Sequence, residues 1–205
     1  MASKRKGLWI GLGILGVLII LVIIAFSWFI GVRNTIVQKE ETVNASWAQV
    51  QNQYQRRYDL IPNLVQTVKG FASQEREVLQ AVTEARSRAG GVMNVSPEIL
   101  ENPEQFARFQ QAQAGLGSAL QRLMVVVERY PELKSNQNFL TLQAQLEGTE
   151  NRIAVERRRF NEEVQAYNSY IRQFPASVVA GMSGFGQKTY FEAGLEAQQA
   201  PQVEF

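Results

Sequence analysis

Hydrophobic positions fall into three regimes along this chain. From Leu8 to Ile30 there are 23 residues without a charged side chain. At about 1.5 Å rise per residue such a helix is about 35 Å long, enough to cross a hydrocarbon core of about 30 Å. Lys4, Arg5 and Lys6 precede the run, Arg33 follows it, and Trp9 and Trp28 sit near its ends, where membrane boundaries favour these residue types. A cleaved signal peptide shares the basic start, and Ala25-Phe26-Ser27 imitates a cleavage site. Its apolar core, however, is normally about 7 to 15 residues. The pattern predicts a basic flank over 1–7 and a retained transmembrane helix over 8–30.

Beyond the span, apolar residues recur every three or four positions, the period of one helix face. Val43, Trp47, Val50, Tyr54, Tyr58, Ile61, Val65, Val68 and Ala72 form a first stripe, which Val78, Leu79 and Val82 extend towards Ala89. Pro62 cannot donate to the carbonyl of Tyr58, so a kink is expected there. Gly90, Gly91, Pro97 and Pro103 mark a break. Phe106, Phe109, Gln113, Leu116, Leu120, Leu123, Val127 and Tyr130 make a second stripe, ended by Pro131. The third runs Phe139, Leu142, Leu146, Thr149, Ile153, Glu156, Phe160, Glu163, Tyr167, Tyr170 and Phe174, with Val155, Val164 and Ile171 as a drifting apolar face where the two glutamates interrupt it. No useful strand alternation or repeat of 20 to 50 residues occurs. These stripes predict an all-α fold: one N-terminal transmembrane helix continuing into an elongated antiparallel bundle of three to four long helices over 34–175. A Gly/Gln-rich tail over 176–205 is expected to be partly disordered, with Phe185, Tyr190 and Phe191 anchoring its first half and 197–205 unfolded.

Charge changes the picture once it is divided. The chain is net +2, but residues 1–33 hold four basic and no acidic side chains, leaving 17 basic against 19 acidic in the remainder. Nucleic acid is therefore not an expected partner. Three basic residues before the span and two soon after it, Arg33 and Lys39, tilt the amino terminus towards the cytoplasm.

Histidine and cysteine are both absent, which removes the commonest general base, the usual zinc ligands, thiol nucleophiles and serine–histidine triads. A carboxylate–metal site remains conceivable from Glu147, Glu150, Glu156, Glu162, Glu163 and Asp59. Pairing of those acids with Arg152, Arg157, Arg158 and Arg159 on solvated faces is the simpler expectation. No catalytic residue, cofactor or metal is assigned.

Two glycine motifs fail on context. Gly11, Gly13 and Gly16 spell a dinucleotide-loop pattern inside a membrane span, and Gly181 to Thr189 imitates a phosphate loop whose Lys188 is displaced by an inserted glutamine. Gly7 and Gly11, four apart, are instead candidates for close packing of membrane helices. The most distinctive polar text is Arg56, Arg57, Tyr58, Asp59, Pro62 and Asn63, a candidate packing or partner-contact network at the expected kink.

The residues Gln55 to Val65, Val68-Lys-Gly-Phe-Ala72, Glu128 to Lys134, Thr149 to Ala154, Arg158-Arg-Phe-Asn161, Tyr167-Asn168, Phe174-Pro175 and Gly184-Phe185 closely resemble the bacterial LemA family in motif content and order. The resemblance runs from the span to about Phe191. It implies a single-pass protein of the bacterial inner membrane with a helical bundle, an external amino terminus and no established catalytic residues. That topology opposes the charge count, and the side of the bundle stays open. Some family members are encoded beside membrane proteases, which implies an envelope-stress or protease-adaptor role.

A non-catalytic, membrane-anchored scaffold that self-associates is the leading expectation. Its expected partners are the lipid bilayer, further copies of the chain and another membrane protein. The alternatives are a receptor or carrier for a small or lipidic ligand walled by Trp47, Tyr54, Tyr58, Phe106 and Phe109, and a carboxylate–metal hydrolase.

Overall fold

A computed structural model describes residues 2–93 and 96–192, with side chains from residue 12 onward. Among these residues the chain is all-α: α1 (Ala2–Phe71), α2 (Arg76–Gly90), a 3-10 turn (Pro97–Glu101), α3 (Pro103–Val127), α4 (Pro131–Lys134), α5 (Gln137–Arg172) and α6 (Ala176–Ser183). The expected sites Gly7 and Gly11 lie on α1, but their surroundings fall outside the described side chains, as does the tail over 193–205. The chain divides into two compact units, residues 1–41 with 166–187, and residues 42–165 with the segment from Lys188.

In the larger unit the starts of α3, α4 and α5 have local causes. Asn102 Oδ1 accepts from Gln105 N at 3.1 Å and Pro103 takes the first turn of α3, where its missing N–H costs nothing. Asn136 Oδ1 likewise accepts from Phe139 N at 3.1 Å near the start of α5. Pro131 ends the run of α3 as the sequence predicts, and then opens α4. α1 runs through Pro62 as one helix.

The first stripe does not continue as a single helix to Ala89. The chain turns over 72–75 and restarts as α2. Folding back brings Val68 and Ala72 into the same aliphatic core as Leu79, Val82, Ala85 and Ala89, joined by Leu116, Leu120 and Leu123 of α3. The corner is tied down at its polar edge, where Tyr130 Oη donates to Glu75 Oε1 at 2.8 Å and Gln74 Nε2 donates to Tyr130 Oη at 3.0 Å.

A second, aromatic core lies in the same unit. The Trp47 ring lies 5.2 Å from Phe109 and 5.7 Å from Phe160, and Phe191 packs 4.9 Å from Phe106 and 5.4 Å from Phe160. Phe191 is held there by a paired contact: Asn161 Nδ2 donates to its carbonyl and Asn161 Oδ1 accepts from its N–H, each at 2.9 Å. On α5 the expected drift to Val155 does not occur, and Val155 is exposed. Two residues past Ile153 is about 200° round the helix, so Val155 points away from the buried face that Ile153, Phe160 and Val164 share.

In the smaller unit α1 passes from an exposed stretch into partial cover. Phe29 and Val32 are half-buried and Ile36 is fully buried. Lys39 Nζ sits 5.5 Å from the centre of the Tyr170 ring. Tyr167 Oη donates to the carbonyl of Gly186 at 3.1 Å. Gly184 adopts φ 77°, the left-handed cap that a side chain would strain, and Phe185 N donates to the carbonyl of Ala180 at 3.1 Å.

Candidate functional site

The helical phase of α1 decides what the polar cluster near Pro62 does. Consecutive helix positions turn by about 100°, so Arg56, Arg57, Tyr58 and Asp59 are distributed round most of the circumference. Of the charged residues in this cluster, Arg57 alone is buried. Its Nη1 bonds both carboxylate oxygens of Glu150 on α5, at 3.0 and 3.3 Å. Nη2 donates to the main-chain carbonyl of Gln113 on α3 at 3.1 Å and to Gln113 Oε1 at 2.6 Å. The guanidinium also lies 5.1 Å from the Tyr54 ring centre. One planar cation thus ties α1, α3 and α5 at a single level, a task that suits its fixed fork of donors. In sequence this polar layer falls between the aromatic residues Tyr54 and Phe109 and the aliphatic residues Ile61 and Leu116.

The other members of the cluster go elsewhere. Arg56 is exposed and lines a surface groove of about 480 Å³ with Thr149 and Arg152. Asp59, also exposed, accepts from Gln55 Nε2 at 2.8 Å, one turn away. Asn63 is exposed, and its carbonyl accepts from Thr67 Oγ1 at 2.8 Å. Pro62 is half-buried within α1. Tyr58 meets α2: Arg86 stacks 3.8 Å from its ring centre and donates through Nε to its carbonyl at 3.2 Å. A Cβ on Gly90 would lie 3.0 Å from that ring, so a side chain there would press the ring back.

Two partners were not assigned from sequence. Gln113 stands in an otherwise apolar stripe, which signals a buried amide needing a polar partner, but nothing in the chain says which. Glu150, expected to pair with nearby arginines of its own helix, reaches Arg57 instead. Lys188, the false phosphate-loop lysine, is buried and paired with Glu101 at 2.6 Å.

Beside the Arg57 layer runs a groove of about 590 Å³, lined by Tyr54, Arg57, Gln110, Gln113, Glu150 and Arg157 among others. A second, of about 810 Å³, adjoins it at Gly117 and Glu150. Burial raises the Tyr54 phenol above its ordinary pKa despite the opposing pull of Arg157 and Arg57. Four of the five aromatic residues expected to wall a ligand cavity, Trp47, Tyr54, Phe106 and Phe109, pack on one another instead, and Tyr58 lies apart, against Arg86 of α2. Among the described residues no group of three or more acidic side chains is placed to hold a metal ion.

Comparison with known proteins agrees with the motifs. The profile of the LemA family matches residues 46–205. Magnetosome protein MamQ 2 of Paramagnetospirillum magneticum is 28% identical over 192 residues, covering 86% of this chain and 71% of that protein. Magnetosome protein MamQ of Magnetospirillum gryphiswaldense is 28% identical over 188 residues, 84% and 69% of the two chains. Protein LemA of Metamycoplasma hominis is 21% identical over 152 residues, 74% and 65%. None of these names states a reaction.

Proposed function

Because this chain belongs to the LemA family, we propose that it acts as a non-catalytic, membrane-anchored helical scaffold of the bacterial inner membrane that self-associates. The observation that carries the anchoring is the exposure of α1. Its large apolar residues from Leu12 to Ile24 are each 52 to 67% exposed, so no other described part of the chain covers them. In water that surface would cost about 25 cal/mol per Å², whereas lipid covers it without a protein partner. Scaffolding is supported by the interior of the larger unit: its aromatic and aliphatic side chains are spent on one another and its buried cation on three helices, which leaves rigid outer faces as the working surface.

The test is fractionation followed by sizing. The full-length protein should stay with membranes through alkaline carbonate washing and, in mild detergent, run as more than one copy. Release by carbonate would remove the anchor, and a monomer at every concentration would remove self-association.

A further inference from the structure

Between Arg172 and Lys188 the chain has 15 consecutive residues, 173–187, without a charged side chain. They include α6, and the helix is two-sided. Ala176, Val179 and Ala180 are buried, whereas Val178 and Met182, one turn apart, are 51% and 74% exposed, and Phe174 just before them is 84% exposed. Large apolar side chains clustered in the open, with no charge among them, mark a surface that something apolar covers.

Position within the smaller unit says what covers it. That unit contains the apolar run of α1 and the segment bearing α6. Tyr170 is set against Lys39, and Ile36 is fully buried while Phe29 and Val32 are half-covered. The apolar run ends at Ile30. At about 1.5 Å per residue, Ile36 is about 9 Å beyond that end, close to the depth of the headgroup layer, which adds about 5 to 8 Å to each side of the hydrocarbon. Ile36 thus marks about the outer edge of the lipid headgroups, and the uncharged segment, which belongs to the same compact unit, has its exposed apolar face within reach of them.

We propose that residues 173–187 form a second membrane contact, in which α6 lies in the headgroup layer beside the point where α1 leaves the bilayer and Phe174, Val178 and Met182 enter the lipid. This rests on the anchoring reading above and deepens it. A single helix is free to tilt and rotate, and a second contact a few ångströms away would fix how the protein stands on the membrane. Gly184 and the bond from Tyr167 Oη to Gly186 close the segment back on α5, so α6 is presented as a preformed turn.

The chain has no native cysteine, so single labels are unambiguous. Ile20→Cys, Val125→Cys, Val178→Cys and Met182→Cys variants of the full-length protein would be spin-labelled and reconstituted in vesicles of phosphatidylethanolamine and phosphatidylglycerol. Collision with oxygen reports lipid and collision with a nickel chelate reports water. Labels at 178 and 182 should behave like the label at 20, favouring oxygen, while the label at 125 favours nickel. If 178 and 182 match 125 while 20 stays in lipid, the second contact is overturned and the anchor stands. If 178 and 182 are shielded from both reagents, a protein copy covers the face and the lipid assignment is overturned. A label at 20 open to nickel would overturn the anchor and the second contact together.

Discussion

Two stretches of α1 use similar residues in opposite ways. Between Leu12 and Trp28 the large apolar side chains point in every direction and remain exposed; between Val43 and Val68 they recur at three- and four-residue steps and are mostly buried. The difference lies in the angular distribution of the apolar residues. A rod that is apolar on all sides suits an isotropic apolar solvent, and a rod with one apolar stripe suits a protein neighbour. Where the first pattern passes into the second, the environment of the helix is expected to change from lipid to protein.

The strongest way to break the comparison is to charge the first stretch. Ile19→Arg with Val22→Arg should cost roughly 6 kcal/mol of membrane insertion, about 3 per charged residue at the bilayer centre, and move the protein out of the membrane fraction. The unfolding curve of the helical domain, followed by circular dichroism, should hardly move. In the second stretch, Trp47→Ala removes the ring around which Phe106, Phe109, Phe160 and Phe191 pack. It should destabilise the larger unit by about 3–5 kcal/mol in urea and leave membrane attachment intact.

Smaller effects sharpen the second half of the comparison. Glu150→Ala leaves Arg57 buried but still bonded to Gln113. Because Glu150 is 43% exposed and partly screened, the loss should be about 1–3 kcal/mol, nearer that of a charged hydrogen bond than of a fully buried ion pair. Tyr130→Phe, which removes the bond to Glu75, should lower the urea midpoint at neutral pH by less than Glu150→Ala does. The hydrogen bond to Glu75, then burial, raise the pKa of Tyr130, and burial raises that of Tyr54. The protonated phenol is the form that the fold favours, so this stability is complete below the ordinary tyrosine value of about 10 and is lost as pH rises through the folded pKa. Alkaline unfolding should therefore be shallower in the Tyr54→Phe and Tyr130→Phe variants than in the parent.

The second stripe was legible residue by residue, including the buried Gln113, because a single period determines which positions face inward. The eight positions from Phe106 to Tyr130 all lose exposure as that period requires. Partners were not legible. Arg57 meets Glu150 across 93 residues and Gln113 across 56, and such meetings depend on where the chain turns. The turn at 72–75 carries neither proline nor glycine, so the apolar phase ran straight through it. The grouping of Arg56, Asp59 and Asn63 with Arg57 followed nearness in sequence, which a helix converts into divergence. The exposed Phe174 lay in phase with a buried stripe, and only the end of α5 at Arg172 takes it out.

The paired bonds from Asn161 to Phe191 have a kinetic consequence. They enclose the Phe191 N–H behind an aromatic ring that packs on Trp47, a residue from the opposite end of the folded sequence. That hydrogen should exchange with solvent deuterium only when the aromatic core itself opens. A single backbone amide in an irregular segment would then time the global unfolding of the larger unit, ranking with the slowest helix amides.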